Sequence, residues 1–210
     1  VPRERIAVYN MKNNNDIIEL FEQRLCEYTG APYAVAVDSC THAIFLAIEV
    51  QAITKTLGIP HHTYVSVPMT LMRMGYDVEF QDNAWHGAYC IGNTNVWDYA
   101  VGLEENMYKP GQMQCLSFQQ KKRLSIGKGG AILLDDSELA ERLKRLRHDG
   151  RNSAIPVSQE NLEDVIIGFH MNMTPDQAAT GIIRLNQLDA NYTNGSWEDY
   201  PRISELRCFK

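Results

Sequence analysis

Several things are missing from this sequence, and each absence excludes something. It has no CxxC pair and no His, Cys, Asp or Glu cluster at metal-ligand spacing, so a metal centre is not expected. The five cysteines, at positions 26, 40, 90, 115 and 208, are odd in number and scattered. That pattern does not suit a disulfide-stapled secreted scaffold and reads as reduced thiols in a cytoplasmic protein. Excess positive charge is missing too: 20 Lys+Arg against 26 Asp+Glu leave a formal net charge of −6, which offers nucleic acid or an anionic membrane nothing to hold. No apolar run approaches the ~20 residues that span a bilayer. The opening segment, VPRERIAVYN, lacks the apolar stretch of a secretion signal. Internal repeats, low-complexity tracts and Gly/Ser linkers do not occur.

What is present suits an ordinary globular chain: 210 residues, 44% hydrophobic and 22% charged, enough for one domain with a short appendage. Asp16 to Tyr28 places Ile17, Leu20, Phe21, Leu25 and Tyr28 at helical spacing, and Gly30 suits the C-terminal cap. Tyr33 to Val37 reads as a buried strand, followed by Asp38-Ser39-Cys40-Thr41 and a helix from His42 to Ala52. A strand, a turn of small polar residues and a helix N-terminus make an anion site, because free N–H groups and the helix dipole point the same way. The same residues also serve as a simple N-cap by Asp38 or Ser39.

A short strand before His61, a helix from Val67 to Met74 with Pro68 in its first turn, and strands over 77–81 and 94–97 follow. Asp98 then stands at the carboxyl end of a strand, where open α/β sheets place ligands, although a helix N-cap would use an aspartate equally well. Leu116 and Phe118 read as strand residues, as do Ala131 to Leu134. A helix is expected over 136–148, and another opens at Thr174-Pro175 and runs to Leu188. The last fifteen residues show no period and are expected to form a short tail. Short strands alternating with helices predict an α/β fold with a mainly parallel sheet flanked by helices.

Between the last two strands lies CLSFQQKKRLSIGKGG, residues 115–130. A lysine on an irregular segment between buried strands loses hydration, so its amine deprotonates more easily and can attack a carbonyl. The plainer alternative is a basic loop on a solvated surface.

Taken in order, these pieces resemble the DegT/StrS family of nucleotide-sugar aminotransferases, enzymes of pyridoxal 5'-phosphate (PLP) with the fold type I large domain. The resemblance runs from Phe21 to Leu188. Its blocks are FEQRLCEYTGAPYAVAVDSCTHAIFLAI, IPHHTYVSVPMTLMRMGYDVEF, VWDYAVGL, SFQQKKRLSIGKGG and GFHMNMTPDQAATGIIRLNQLD. It implies that Lys122 is the lysine that condenses with the cofactor's aldehyde, with Lys121 as the neighbouring alternative. If the backbone there is extended, only one of the two side chains can reach the site. It implies that Asp98 faces the pyridine nitrogen and keeps it protonated, and that Tyr64 stacks on the ring. Ser39, Cys40, Thr41 and Ser117 would surround the phosphate, and His170 would reach it from the second subunit of a homodimer. Glutamate is the implied amino donor and a nucleotide-linked keto sugar the acceptor.

The chain departs from the family pattern at several of these positions. Cys40 replaces a glycine, Val101 a polar residue beside the cofactor, Lys128 a glutamate and Asn172 an arginine. Residues 1–189 are expected to form the PLP-binding large domain, with 190–210 a short tail where relatives carry a smaller C-terminal domain. Two other functions compete. A PLP-dependent sugar dehydratase of this family would carry histidine at the lysine position, which Lys122 argues against. A non-catalytic or regulatory relative without a complete substrate site would suit the departures at Val101 and Asn172.

Overall fold

The computed structural model describes residues 15–51, 55–189 and 191–210. The opening segment VPRERIAVYN, and Ala52 at the expected end of the second helix, lie outside the described residues. Helix α1, Asn15–Thr29, ends where Gly30 takes φ +77° and its N–H donates to the Cys26 carbonyl at 2.9 Å. Strand β1, Tyr33–Val37, leads into α2, Cys40–Glu49, capped by the Ser39 hydroxyl, which accepts from His42 N–H. Strand β2, Thr56–Pro60, is followed by α3, Ser66–Arg73, and by β3, Asp77–Gln81. Three strands come next: β4, Tyr89–Cys90; β5, Val96–Asp98; and β6, Met113–Ser117. Strand β7, Gly130–Leu134, α4, Ser137–Arg147, and α5, Pro175–Leu185, complete the regular elements, with single turns between and after them. Helix α5 ends short of the expected Leu188, and β6 stops one residue before Phe118.

The larger sheet has the order β1-β7-β6-β5-β4, and β2 and β3 form a separate parallel pair. Gly92 N–H donates to the Gly58 carbonyl at 2.7 Å, which ties β2 to the end of β4. The α/β layering is as expected, but the sheet is mixed rather than mainly parallel. Strand β7 runs antiparallel to both β1 and β6, β4 runs antiparallel to β5, and in the larger sheet only β5 and β6 are parallel. Hydrophobic runs such as β7 are buried throughout and cannot reveal direction, because a strand covered on both faces reads the same either way.

Alternation along the strands sorts the core into two layers. Ala34, Ala36, Ala131 and Leu133 face a cluster with Phe21 and Leu25 of α1 and Ile182 of α5. Val35, Val37, Ile132 and Leu134 face the other cluster, with Ile44 and Ile48 of α2 and Leu143 of α4. Helices α1 and α5 lie close because Gly181 carries no side chain: a Cβ there would stand 2.5 Å from the Phe21 ring.

One buried ion pair ties helices on opposite faces to the sheet. The Arg147 guanidinium, on α4, donates to Glu22 Oε1 on α1 and, at 2.5 Å, to the Ala36 carbonyl, while Ala36 N–H donates to the same Glu22 oxygen at 2.8 Å. Both side chains are only 5% exposed. Removing one partner leaves the other charge desolvated and unpaired. Arg147→Met is therefore expected to cost about 3–5 kcal/mol of stability, measured by denaturant unfolding. A loss below about 1 kcal/mol would mean that the pair contributes little.

Candidate active site

The carboxyl ends of β1, β5 and β6 and the first residue of β7 meet at one edge of the sheet, where Ser117 pairs with Gly130 and Asp98 with Cys115. The turn after β1 brings the N-terminus of α2 to the same place. Gly130 permits this closeness, since a Cβ there would stand 2.5 Å from the Cys40 nitrogen. These elements enclose a cavity of about 520 Å³ bordered by Ser39, Cys40, Thr41, Tyr64, Asp98, Ser117, Lys121, Lys122 and Lys128, with Asp199 and Tyr200 from the tail. A hollow of about 530 Å³ beside α1 and α4 has none of the expected site residues on its walls.

Asp98 is 6% exposed. Its Oδ1 accepts from Ala100 N–H at 2.9 Å and its Oδ2 from the Tyr89 hydroxyl at 2.8 Å. The second contact follows from register, because Tyr89 sits opposite Asp98 in the β4–β5 pair and the two side chains share a face. The Tyr89 hydroxyl also contacts Thr63 Oγ1 at 2.5 Å. Burial raises the Asp98 carboxyl above its ordinary 3.8, and the two hydrogen bonds and the Lys122 charge oppose that rise. The cavity thus holds a carboxylate with too little positive charge around it, and a ligand cation would improve its situation.

The anion end is built from α2. Amides at its first positions, Cys40 and Thr41, have no intrahelical acceptor, and both residues border the cavity. The Ser39 hydroxyl is engaged at home, accepting from His42 N–H at 3.2 Å and donating to Asp38 Oδ1 at 3.1 Å. Thr41 Oγ1 meets Ser66 Oγ at 2.8 Å, joining the starts of α2 and α3. Burial alone would raise the Asp38 carboxyl, but the His42 hydrogen bond and charge, then the Lys128 charge, hold it below the ordinary range. Lys128 Nζ lies 3.4 Å from Asp38 Oδ2, so the lysine that replaces the family's glutamate balances an acid at the helix start. The Cys40 thiol lies 4.0 Å from Asp98 Oδ1 and 3.5 Å from the Cys115 carbonyl. Burial and the Asp98 charge push it well above 9.0, so it stays protonated and is a poor nucleophile.

The lysine segment between β6 and β7 is a closed loop. Phe118 N–H donates to the Gly129 carbonyl at 2.9 Å and Ile126 N–H to the Phe118 carbonyl at 3.0 Å, while Phe118 and Leu124 are fully buried. Lys122 N–H donates to the Gln119 carbonyl at 2.8 Å, which makes residues 119–122 a turn. Extended backbone, the condition for only one lysine reaching the site, is therefore not met, and both lysines border the cavity. They still differ. Lys121 is exposed, whereas Lys122 is half-buried and its Nζ donates to the Tyr200 hydroxyl at 3.2 Å.

Of the remaining expected residues, Tyr64 borders the cavity with 61% of its surface exposed, and Ser117 closes the β6 end. His170 lies outside the cavity, on the surface, with its side chain 80% exposed and 3.1 Å from Asp149. Sequence reasoning missed Tyr89, Thr63, Asp199 and Tyr200. A strand of two residues is too short to show the alternation that would have placed Tyr89 beside Asp98, and the tail has no period to read.

A mixed α/β sheet with a lysine and a buried acid in one cavity at its carboxyl edge defines the class of fold. The comparisons define the family: this chain belongs to the DegT/DnrJ/EryC1/StrS aminotransferase family, which matches residues 7–96 and 100–195. The spore coat polysaccharide biosynthesis protein SpsC of Bacillus subtilis (strain 168) is 25% identical over 222 residues, covering 82% of this chain and 57% of that protein. The dTDP-4-amino-4,6-dideoxy-D-glucose transaminase of Shigella dysenteriae is 22% identical over 219 residues, covering 84% of this chain and 58% of that protein. Among solved structures, AtS13 from Actinomadura melliaura shares the fold with a TM-score of 0.71 at 19% identity, over 83% of this chain and 60% of that one. The chain thus spans 57–60% of the length of these relatives.

The buried acid gives a pH-dependent prediction. A carboxyl whose folded value is raised contributes stability that is fully present below the unfolded value and is lost as pH rises through the folded value. Asp98→Asn removes that loss, and the Tyr89 hydroxyl can turn to accept from the new amide. The variant is expected to melt above the wild type at neutral pH, with the gap closing toward pH 4. Equal melting temperatures across that range would mean that the acid is not held under strain.

Proposed function

We propose that the protein is a PLP-dependent aminotransferase that moves an amino group from glutamate to a keto sugar carried on a nucleotide. The observation that carries this reading is the shared cavity of Lys122, Asp98 and the N-terminus of α2. These residues fit the cofactor at three points. Asp98 suits a protonated ring nitrogen, since it is buried with few partners. The amides of Cys40 and Thr41, with the Ser117 hydroxyl, suit a phosphate, and Ser39 fixes the turn that presents them. Lys122 offers the amine that holds the aldehyde and the base that sits beside the substrate carbon. When bound, PLP would supply an aldehyde that accepts amino groups and a ring that withdraws electrons. Tyr64, which borders the cavity from the loop before α3, would cover one face of that ring.

In this reading residues 1–189 form the cofactor-binding unit, and 190–210 a tail that walls its cavity. The working form is a cytoplasmic homodimer. Val157, Leu162, Ile166 and Ile167 lie exposed on the segment that precedes His170, with Ile167 at 93%. A second copy of the chain covering them would bring His170 to a subunit boundary. A PLP-binding relative without turnover is the competing reading, and Asn172 favours it: where the family has arginine, its Oδ1 is buried without a hydrogen-bond partner.

Lys122→Ala is expected to abolish the yellow absorbance of the PLP-loaded protein and the fixation of a pyridoxyl group to the chain by borohydride. Retention of both would remove Lys122 from the role. Loss of the yellow colour on adding glutamate to the wild type would separate a transaminase from a binding protein, which keeps its colour with every amino donor.

A further inference from the structure

The tail is stitched to the body at several points, and one of its residues enters the cavity. Trp197 N–H donates to the Trp85 carbonyl at 3.1 Å, and the Tyr200 carbonyl accepts from His62 Nδ1 at 2.8 Å. Arg202 pairs with Asp82 at 2.8 Å, Ile203 N–H donates to the His61 carbonyl at 2.9 Å, and His61 Nδ1 meets Ser204 Oγ at 2.6 Å. Ile203 is 3% exposed. A segment held by so many contacts is part of the fold. Tyr200 leans on the Trp85 ring, 5.5 Å between centroids, and its hydroxyl reaches Lys122 Nζ at 3.2 Å. The ammonium also stands 5.9 Å from the centre of the Tyr200 ring, within cation–π range.

We propose that Tyr200 is a positioning residue for Lys122, anchoring its amine inside the cavity through the phenolic oxygen. This rests on the reading of Lys122 as the cofactor-holding lysine. A free lysine side chain has several rotatable bonds and drifts toward water, as the exposed Lys121 beside it shows. The phenol opposes that drift. Burial, then the Asp98 and Asp199 charges, push the Tyr200 hydroxyl far above its ordinary 10.0, so it remains a neutral phenol at working pH. A neutral phenol accepts from the ammonium and donates to the free amine, so the contact survives either protonation state of Lys122. The bond to the ammonium is charge-assisted and the stronger of the two. Tyr200 therefore holds the amine in place within the cavity. The titratable and charged groups bordering the cavity with Lys122 are Asp98 from β5, Cys40 from α2, Tyr64 from the loop before α3, Asp199 and Tyr200 from the tail, and Lys121 and Lys128 from its own loop.

The test is competitive acetylation of the cofactor-free protein across pH, with Lys121, Lys122 and Lys128 followed by peptide mass spectrometry. In Tyr200→Phe the ring and its packing on Trp85 stay while the hydroxyl goes. Labelling of Lys122 relative to Lys121 is expected to rise about fivefold at a fixed pH, the worth of one hydrogen bond, while that of Lys128 relative to Lys121 stays the same. Tyr200→Leu, which keeps an apolar plug without the oxygen, is expected to do the same and stands in if the first variant folds poorly. Unchanged Lys122-to-Lys121 ratios in both variants, or an equal rise at Lys128, would overturn the proposal and leave Tyr200 a structural plug. Borohydride fixation of PLP on the wild type separates the two ideas. A pyridoxyl group on Lys121, or on no lysine, defeats the cofactor reading, whereas the acetylation ratios report on the Tyr200 contact alone.

Discussion

A carboxylate kept from water with little to balance it is the constraint on which the site depends. Asp98 accepts one backbone N–H and one phenol, and the nearest help of opposite sign comes from Lys122 across the cavity. Burying such a group is expensive in any fold, and a protein selected for stability alone would put a neutral residue there. The expense is understandable if a cation enters the cavity during function, because the interaction is then strong for the reason that made the empty site costly: low local dielectric. The thiol and phenol beside Asp98 are pushed toward their neutral forms by the same burial, so none of them competes for the role of counter-charge.

The sheet explains why the groups meet. Strands β5 and β6 are parallel neighbours, so Asp98 and Ser117 finish at one edge. Strand β7 runs the other way and therefore begins at that edge, with Gly130 opposite Ser117. This reversal lets a loop of about a dozen residues carry Lys122 from the end of one strand to the start of the next without leaving the cavity. An all-parallel arrangement would need a long crossover there and would carry the lysine to the opposite edge. The glycine at the start of β7 is what allows the first turn of α2 to settle against it, so that the helix N-terminus faces the same space as the lysine.

Much of this was legible before any coordinates. Helices α1, α4 and α5 follow from periodicity and caps, and Asp98, Lys122 and the Ser39–Thr41 turn from their places at strand ends within a resembling motif. Strand direction was not legible, because β7 is apolar at every position and carries no mark of its neighbours' sense. Nor was the freedom of both lysines to face the cavity, since that depends on a turn over 119–122 stabilised by a single backbone bond. Tyr89 and Tyr200 escaped for a shared reason. Each acts across space from a segment too short or too irregular to have a period, and only register or tertiary packing puts it beside its partner.

Two of the departures from the family pattern, Lys128 and Val101, have a local setting in the fold. Lys128 is paired with Asp38 at the start of α2, so the charge reversal there is absorbed locally. Val101 packs near Gly195, at a distance where a Cβ on the glycine would come within 3.2 Å of it, and so belongs to the seam between the body and the tail. The segment on the other side of that seam supplies Tyr200 and Asp199 to the cavity. A segment with no sequence periodicity can be placed so because its geometry is dictated by what it binds: the His61 carbonyl, the imidazoles of His61 and His62, the Trp85 carbonyl and the Asp82 carboxylate hold the backbone on either side of Tyr200.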